Sequence, residues 1–128
     1  MLPFIVEFRS GEPVYEQIML AAKKAMLSGI LPPGNPFPSI RALGQELKIN
    51  PNTAHKVIMA LTTEGFLVVK PGIGTVVAQP RAGSAEDRAD LLTREVERLV
   101  IEAGRLGLTE GQVLAAVSRN WRKISHQS

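Results

Sequence analysis

Between Ser39 and Gly74 the sequence gathers side chains suited to hydrogen bonding with flat polar edges and with anions. Arg41 offers a planar fork of donors that fits guanine or phosphate, and Asn52 can bond an adenine edge in two places. Thr53 is short enough to meet a phosphate or a thymine methyl. His55 can donate to a phosphate or a base, or respond to pH through its ring. Lys56 and Lys70 suit phosphate, because counterion release rewards a cation beside the backbone without demanding fixed geometry. They would position rather than specify. Each residue also has a plainer reading: Arg41 as a solvated helix charge, Asn52 as a capping-turn residue, Thr53 as a helix-start hydroxyl, His55 as an ordinary surface histidine. Lys23 and Lys24 read as solvent-facing lysines.

The elements that must hold these residues are legible around them. Ser39 follows a proline-interrupted loop, Leu31 to Pro38, and can cap a helix by accepting N–H bonds that its first turn leaves unpaired. Ile40, Leu43 and Leu47 fall on one face of that helix. Asn50 is a second cap, and Pro51 suits a first helical position, where its missing N–H costs nothing. Ala54, Val57, Ile58 and Leu61 then recur at helical spacing, and Gly65 can take the left-handed turn that ends helices. So short a connection makes the two helices cross. Phe66 to Lys70, the turn cluster Pro71 to Gly74, and Thr75 to Val77 read as a hairpin. Two crossed helices and a hairpin are how a winged helix-turn-helix presents a helix to a DNA groove, although the same order also serves as plain scaffold.

The chain resembles the GntR family of bacterial transcription regulators, and within it the short YtrA-like subfamily. The likeness rests on Pro13-Val14-Tyr15-Glu16-Gln17-Ile18, Leu27-Ser28-Gly29 with Pro33-Gly34, Pro38-Ser39-Ile40-Arg41-Ala42-Leu43 and Asn50-Pro51-Asn52-Thr53. Glu64-Gly65 and Gly72-Ile73-Gly74-Thr75 complete it, so the match runs in order over residues 11 to 78. The resemblance implies a DNA-binding dimer whose third helix enters the major groove while the wing reaches the adjacent minor groove. It implies DNA contacts from Arg41, from Asn50, Asn52, Thr53 and His55, and from the backbone at Gly72. With Ser39, Lys56, Lys70 and Gly74 these are the candidate DNA-binding residues. Pro51 and His55 stand where arginines are common in the family, which removes any transfer of base preference.

Composition sets the bounds. With 128 residues, 45% of them hydrophobic, the chain can hold one compact domain and an extension. The net charge of +3 permits nucleic-acid binding without requiring it. The excess lies before residue 82, since residues 82 to 128 carry seven basic and seven acidic side chains. No cysteine is present, which excludes disulfides, thiolate metal sites and cysteine nucleophiles. His55 and His126 lie far apart, no metal or other cofactor is expected, and no nucleophile sits by a base. An enzyme is therefore poorly supported; Gly72-Ile73-Gly74 lacks the later glycine and the helix of a phosphate-binding loop. The N-terminus lacks a basic leader with a long apolar core, and no window approaches 18 apolar residues, so no membrane association and a cytoplasmic location are expected.

Gln79 to Ala85 reads as a linker. Beyond it Leu92, Val96, Leu99, Ala103 and Leu106 step by four and three along one long amphipathic helix, a coiled-coil-like seam. Gly107 can end it, Thr109 with Gln112 forms a capping box, and Leu114, Val117, Trp121 and Ile124 line the next helix. Two such stripes want another surface, either this chain's own first domain or the same helices of a second chain. The latter, a homodimer, is expected. The expectation is an α+β fold: a winged helix-turn-helix of three helices and a two-stranded wing (1–78), a linker (79–85) and a two-helix dimerisation extension (86–128). The short tail cannot enclose a pocket of the usual ~300 Å³ within one chain, so a small-molecule effector would bind between chains or at the wing junction. The function expected is a regulator, a repressor on a pseudo-palindromic DNA operator, with control of neighbouring transporter genes implied by the YtrA-like resemblance. The alternative is a protein-interaction module that has lost DNA binding.

Overall fold

The computed structural model describes residues 1–80 and 83–125, which form two compact units, one running to Pro80 and the other ending at Lys123. His126 and two linker residues, Arg81 and Ala82, lie outside the described residues. In the first unit, helices α1 (Val14–Leu27), α2 (Ile40–Leu47) and α3 (Pro51–Thr63) precede a hairpin of β1 (Leu67–Lys70) and β2 (Gly74–Val77). The strands pair antiparallel, with Leu67 opposite Val77 and Lys70 opposite Gly74. Phe66, expected in the first strand, instead donates its N–H to the Leu61 carbonyl at 2.8 Å and closes the end of α3.

Periodicity explains the core. Ile18, Met19, Ala22 and Ala25 of α1 and Ala54, Val57, Ile58 and Leu61 of α3 fill one face of each helix, with Leu43 of α2 between them. The caps are as the sequence predicts: Ser39 Oγ accepts from the Ala42 N–H at 3.0 Å, and Asn50 Oδ1 from the Asn52 N–H at 2.7 Å. Gly65 ends α3 at φ +88°, a conformation a side chain would strain.

Four further features of the first unit go beyond what the sequence predicts. The segment before α2 is more than a loop: Pro36 bridges Val76, the Phe37 N–H donates to the Thr75 carbonyl at 3.0 Å and the Val77 N–H to the Asn35 carbonyl at 2.9 Å. The wing thus gains a third extended edge, which a proline can occupy because its missing N–H points away from the ladder. Phe4 is buried and stacks on Phe37 with centroids 5.7 Å apart, anchoring the N-terminal segment in the core. Lys23 is not a free solvent lysine: its ammonium pairs with Glu64 at 2.8 Å and lies 5.1 Å over the Phe66 ring, tying α1 to the end of α3. Finally, α2 ends on Lys48 at φ +55°, where a residue with a Cβ is strained. Lys48→Gly is expected to raise stability by about 1 kcal/mol, read as a higher denaturation midpoint at unchanged m-value.

In the second unit, α4 (Ala85–Asp90), a π-helical turn (Leu91–Glu95) and α5 (Val96–Arg105) follow one another, and α6 (Glu110–Ser125) supplies the rest of it up to Lys123. Ser84 caps α4 by accepting from the Asp87 N–H. The capping box is formed: the Gln112 N–H donates to Thr109 Oγ1 at 3.2 Å and the Thr109 N–H to Gln112 Oε1 at 2.9 Å. The wider turn alters the seam, because stepping four residues assumes 3.6 per turn; Val96 bonds back to the Leu91 carbonyl, so Leu92 is displaced around the axis from Val96. Arg105 grips the Glu102 carboxylate with two nitrogens and holds its pKa below the usual carboxylate value. Both groups are exposed, so the pair adds little to stability.

Candidate nucleic-acid interface

Helix α3 divides cleanly. Its buried stripe fixes the opposite face outward, carrying Asn52, His55 and Lys56, all exposed, with Thr53 half-buried at the margin. Met59, half exposed and seven residues after Asn52, continues this face. Its spacing of seven from Asn52 is the signal in the sequence that places it there. Arg41 is exposed in the first turn of α2. Lys70 is exposed where β1 meets the turn, and Gly72 and Gly74 are exposed with φ of +77° and +114°. A Cβ built at either glycine meets no atom within 4 Å, so backbone conformation, not crowding, asks for glycine there.

The candidates differ in what they have left to offer. Ser39 and Asn50 use their side-chain oxygens to cap α2 and α3, so their first role is to fix where each helix starts. Lys56 holds its ammonium 4.6 Å over the Tyr15 ring, which places the charge beside the start of α1 rather than leaving it to sweep solvent. Charge on this unit is sorted. From Ser39 to Gly74 there are four basic residues, Arg41, Lys48, Lys56 and Lys70, against Glu46 and Glu64. Both carboxylates are paired with cations outside that segment, Glu46 with the Met1 amine and Glu64 with Lys23. The cations of the segment are therefore not neutralised by its own acids.

Among the described residues no group of His, Asp or Glu could hold a metal ion, and no helix is long and apolar enough to cross a membrane. The tail seam is largely solvent-facing within one chain: Leu92, Val96, Leu99, Leu106, Leu114, Val117 and Trp121 are exposed, while Ala103 is already buried.

Residues 14–77 match the model of the bacterial regulatory proteins of the gntR family. The chain is 32% identical over 104 residues to the HTH-type transcriptional repressor YtrA of Bacillus subtilis (strain 168), covering 80% of each. Among solved structures it resembles YtrA from Sulfolobus acidocaldarius, a GntR-family transcription factor, at 29% identity and a TM-score of 0.61, covering 76% of this chain and 96% of that one. The fold is also shared with a transcriptional antiterminator from Listeria monocytogenes EGD-e, at a TM-score of 0.83 over 95% of this chain and 92% of the other, with 24% identity. With that match over the capped helices and the wing, the chain belongs to the GntR family: it is a winged-helix DNA-binding transcription regulator, not an enzyme.

Proposed function

We propose that the protein is a repressor that binds a pseudo-palindromic operator as a homodimer and blocks the promoter by occupying it. The observation that carries this reading is the outward stripe of α3, Asn52-His55-Lys56, together with an exposed Arg41 on α2 and a glycine-tipped wing on the same unit. In this reading α3 enters the major groove. Asn52 and Thr53 meet base edges or a thymine methyl, Arg41 meets guanine or phosphate, and His55, Lys56 and Lys70 meet phosphates. Ser39 and Asn50 set the helix starts, and Gly72 and Gly74 let the wing backbone approach the duplex. The exposed tail seam pairs with that of a second chain, which puts two copies of α3 on half-sites about 34 Å apart. The YtrA-like likeness supports neighbouring transporter genes as the target and the cytoplasm as the place. A small-molecule effector would act between the two chains or at the wing junction.

Arg41→Ala and Thr53→Ala test the reading. Each is expected to lower affinity for an operator duplex by roughly 10- to 100-fold, the weight of one or two direct contacts, with sedimentation unchanged. Lys70→Ala is expected instead to flatten the dependence of log affinity on log salt by about 1.8, as one phosphate contact is lost from each of the two protomers. Unchanged operator affinity in both variants would place the base contacts on other residues, and failure of the unaltered chain to bind any duplex at low salt would make it a protein-interaction module.

A further inference from the structure

The wing tip is built unlike the rest of the candidate interface. Lys70 opposite Gly74 closes a loop of Pro71, Gly72 and Ile73, and the Ile73 N–H donates to the Lys70 carbonyl at 3.0 Å, so the loop has a fixed shape. Positive φ at Gly72 and Gly74 leaves Ile73 standing between two residues without side chains, 74% exposed. From Pro71 to Gly74 no side chain carries a hydrogen-bond donor or acceptor, and from Phe66 to Ala78 there is no acidic residue and one cation, Lys70. An exposed β-branched residue on a rigid hairpin loses little freedom when it is covered. With Lys70 alongside to meet a phosphate, the surface it fits is a nucleic-acid groove rather than a charged protein face.

We propose that Ile73 is a specificity-determining residue, imposing a preference for A·T over G·C pairs through the minor groove beneath the wing. The inference rests on the DNA-binding reading above. In the minor groove A·T and T·A show only acceptors set in a smooth floor, whereas G·C adds the guanine N2 amino group, which projects and donates. The Ile73 side chain can lie against the smooth floor. Over guanine it meets a protruding amino group that it cannot accept from, and burying that donor unpaired is costly. A serine at this position, which both donates and accepts, would tolerate either pair. Ile73 therefore discriminates by exclusion, which suits a tip that has no polar group with which to select.

The test uses the full chain and a duplex it enriches from random DNA, with hydroxyl-radical protection marking the minor-groove pairs under the wing. Changing those A·T pairs to G·C is expected to weaken binding by about fivefold to tenfold, within the usual cost of a wrong pair. Inosine·C at the same places, which removes only the N2 amino group, is expected to restore affinity to within about twofold. Ile73→Ser should reduce the A·T preference below about twofold, whereas Ile73→Val should keep it; the position is exposed, and circular dichroism checks the fold of both variants. Equal affinity of the unaltered chain for A·T and G·C, no rescue by inosine, or a full preference in Ile73→Ser would overturn the proposal while leaving operator binding in place. Enrichment of no site at all would overturn the DNA-binding reading and this inference with it.

Discussion

Leu99→Glu combined with Val117→Glu is expected to convert the proposed dimer to a monomer and to lower its operator affinity by roughly 10²- to 10⁴-fold, the range that linking two binding modules supplies. Both residues belong to the tail seam and are about 44% exposed in the single chain, enough surface to gain from a partner. Fully covering a leucine or valine contributes about 1.5–3 kcal/mol, and a symmetric interface repeats each contribution. A glutamate there reverses the balance, since an unpaired charge forced into an apolar interface costs about 3–5 kcal/mol. The substitutions lie outside the first unit, so its thermal transition should not move. Analytical ultracentrifugation and a binding titration on the same preparation read both effects. A dimer that survives both changes would place the interface elsewhere.

Leu61→Ala is expected to be the most damaging single change in the first unit. Leu61 is fully buried, at the end of the stripe that seats α3, and its carbonyl receives the Phe66 N–H that turns the chain into the wing. Truncation leaves a cavity that the surrounding helices fill only in part, at about 2–5 kcal/mol. A unit of this size holds a total on the order of 4–12 kcal/mol, so the melting temperature should fall by at least about 10 °C. Leu61→Met, which keeps the volume, should cost less than about 1.5 kcal/mol. Equal stability of the alanine and parent proteins would show that α3 is not seated by this contact. Because α3 carries both the core stripe and the proposed interface, DNA affinity should weaken along with stability in Leu61→Ala and persist in Leu61→Met.

What the sequence made legible was local. Ser39, Asn50-Pro51 and Gly65 act on the backbone within a few residues, so helix boundaries and the hairpin follow from residue types alone. Contacts between distant segments leave no such trace. Nothing in the spacing of Phe4 and Phe37 announces their stacking, and Pro36 beside Val76 looked like punctuation. Lys23 reads as one of two adjacent surface lysines until the fold brings Glu64 and Phe66 to it. The π-helical turn at Leu91–Glu95 escaped because heptad stepping presumes a uniform helix. At the candidate site, side-chain types indicated what could bond to DNA but not what was already engaged. The oxygens of Ser39 and Asn50 serve as caps and Lys56 rests on Tyr15, which in the proposed reading leaves Arg41, Asn52 and Thr53 to carry more of the base contacts.

Selection of bound duplexes from random DNA by the full chain addresses the central claim most directly. Two recognition helices held by one dimer predict an enriched inverted repeat whose half-site centres lie about 10–10.5 base pairs apart, weakened when the spacing is lengthened by half a turn. An enriched single motif with no repeat and no dependence on spacing, or no enrichment at low salt, would contradict it.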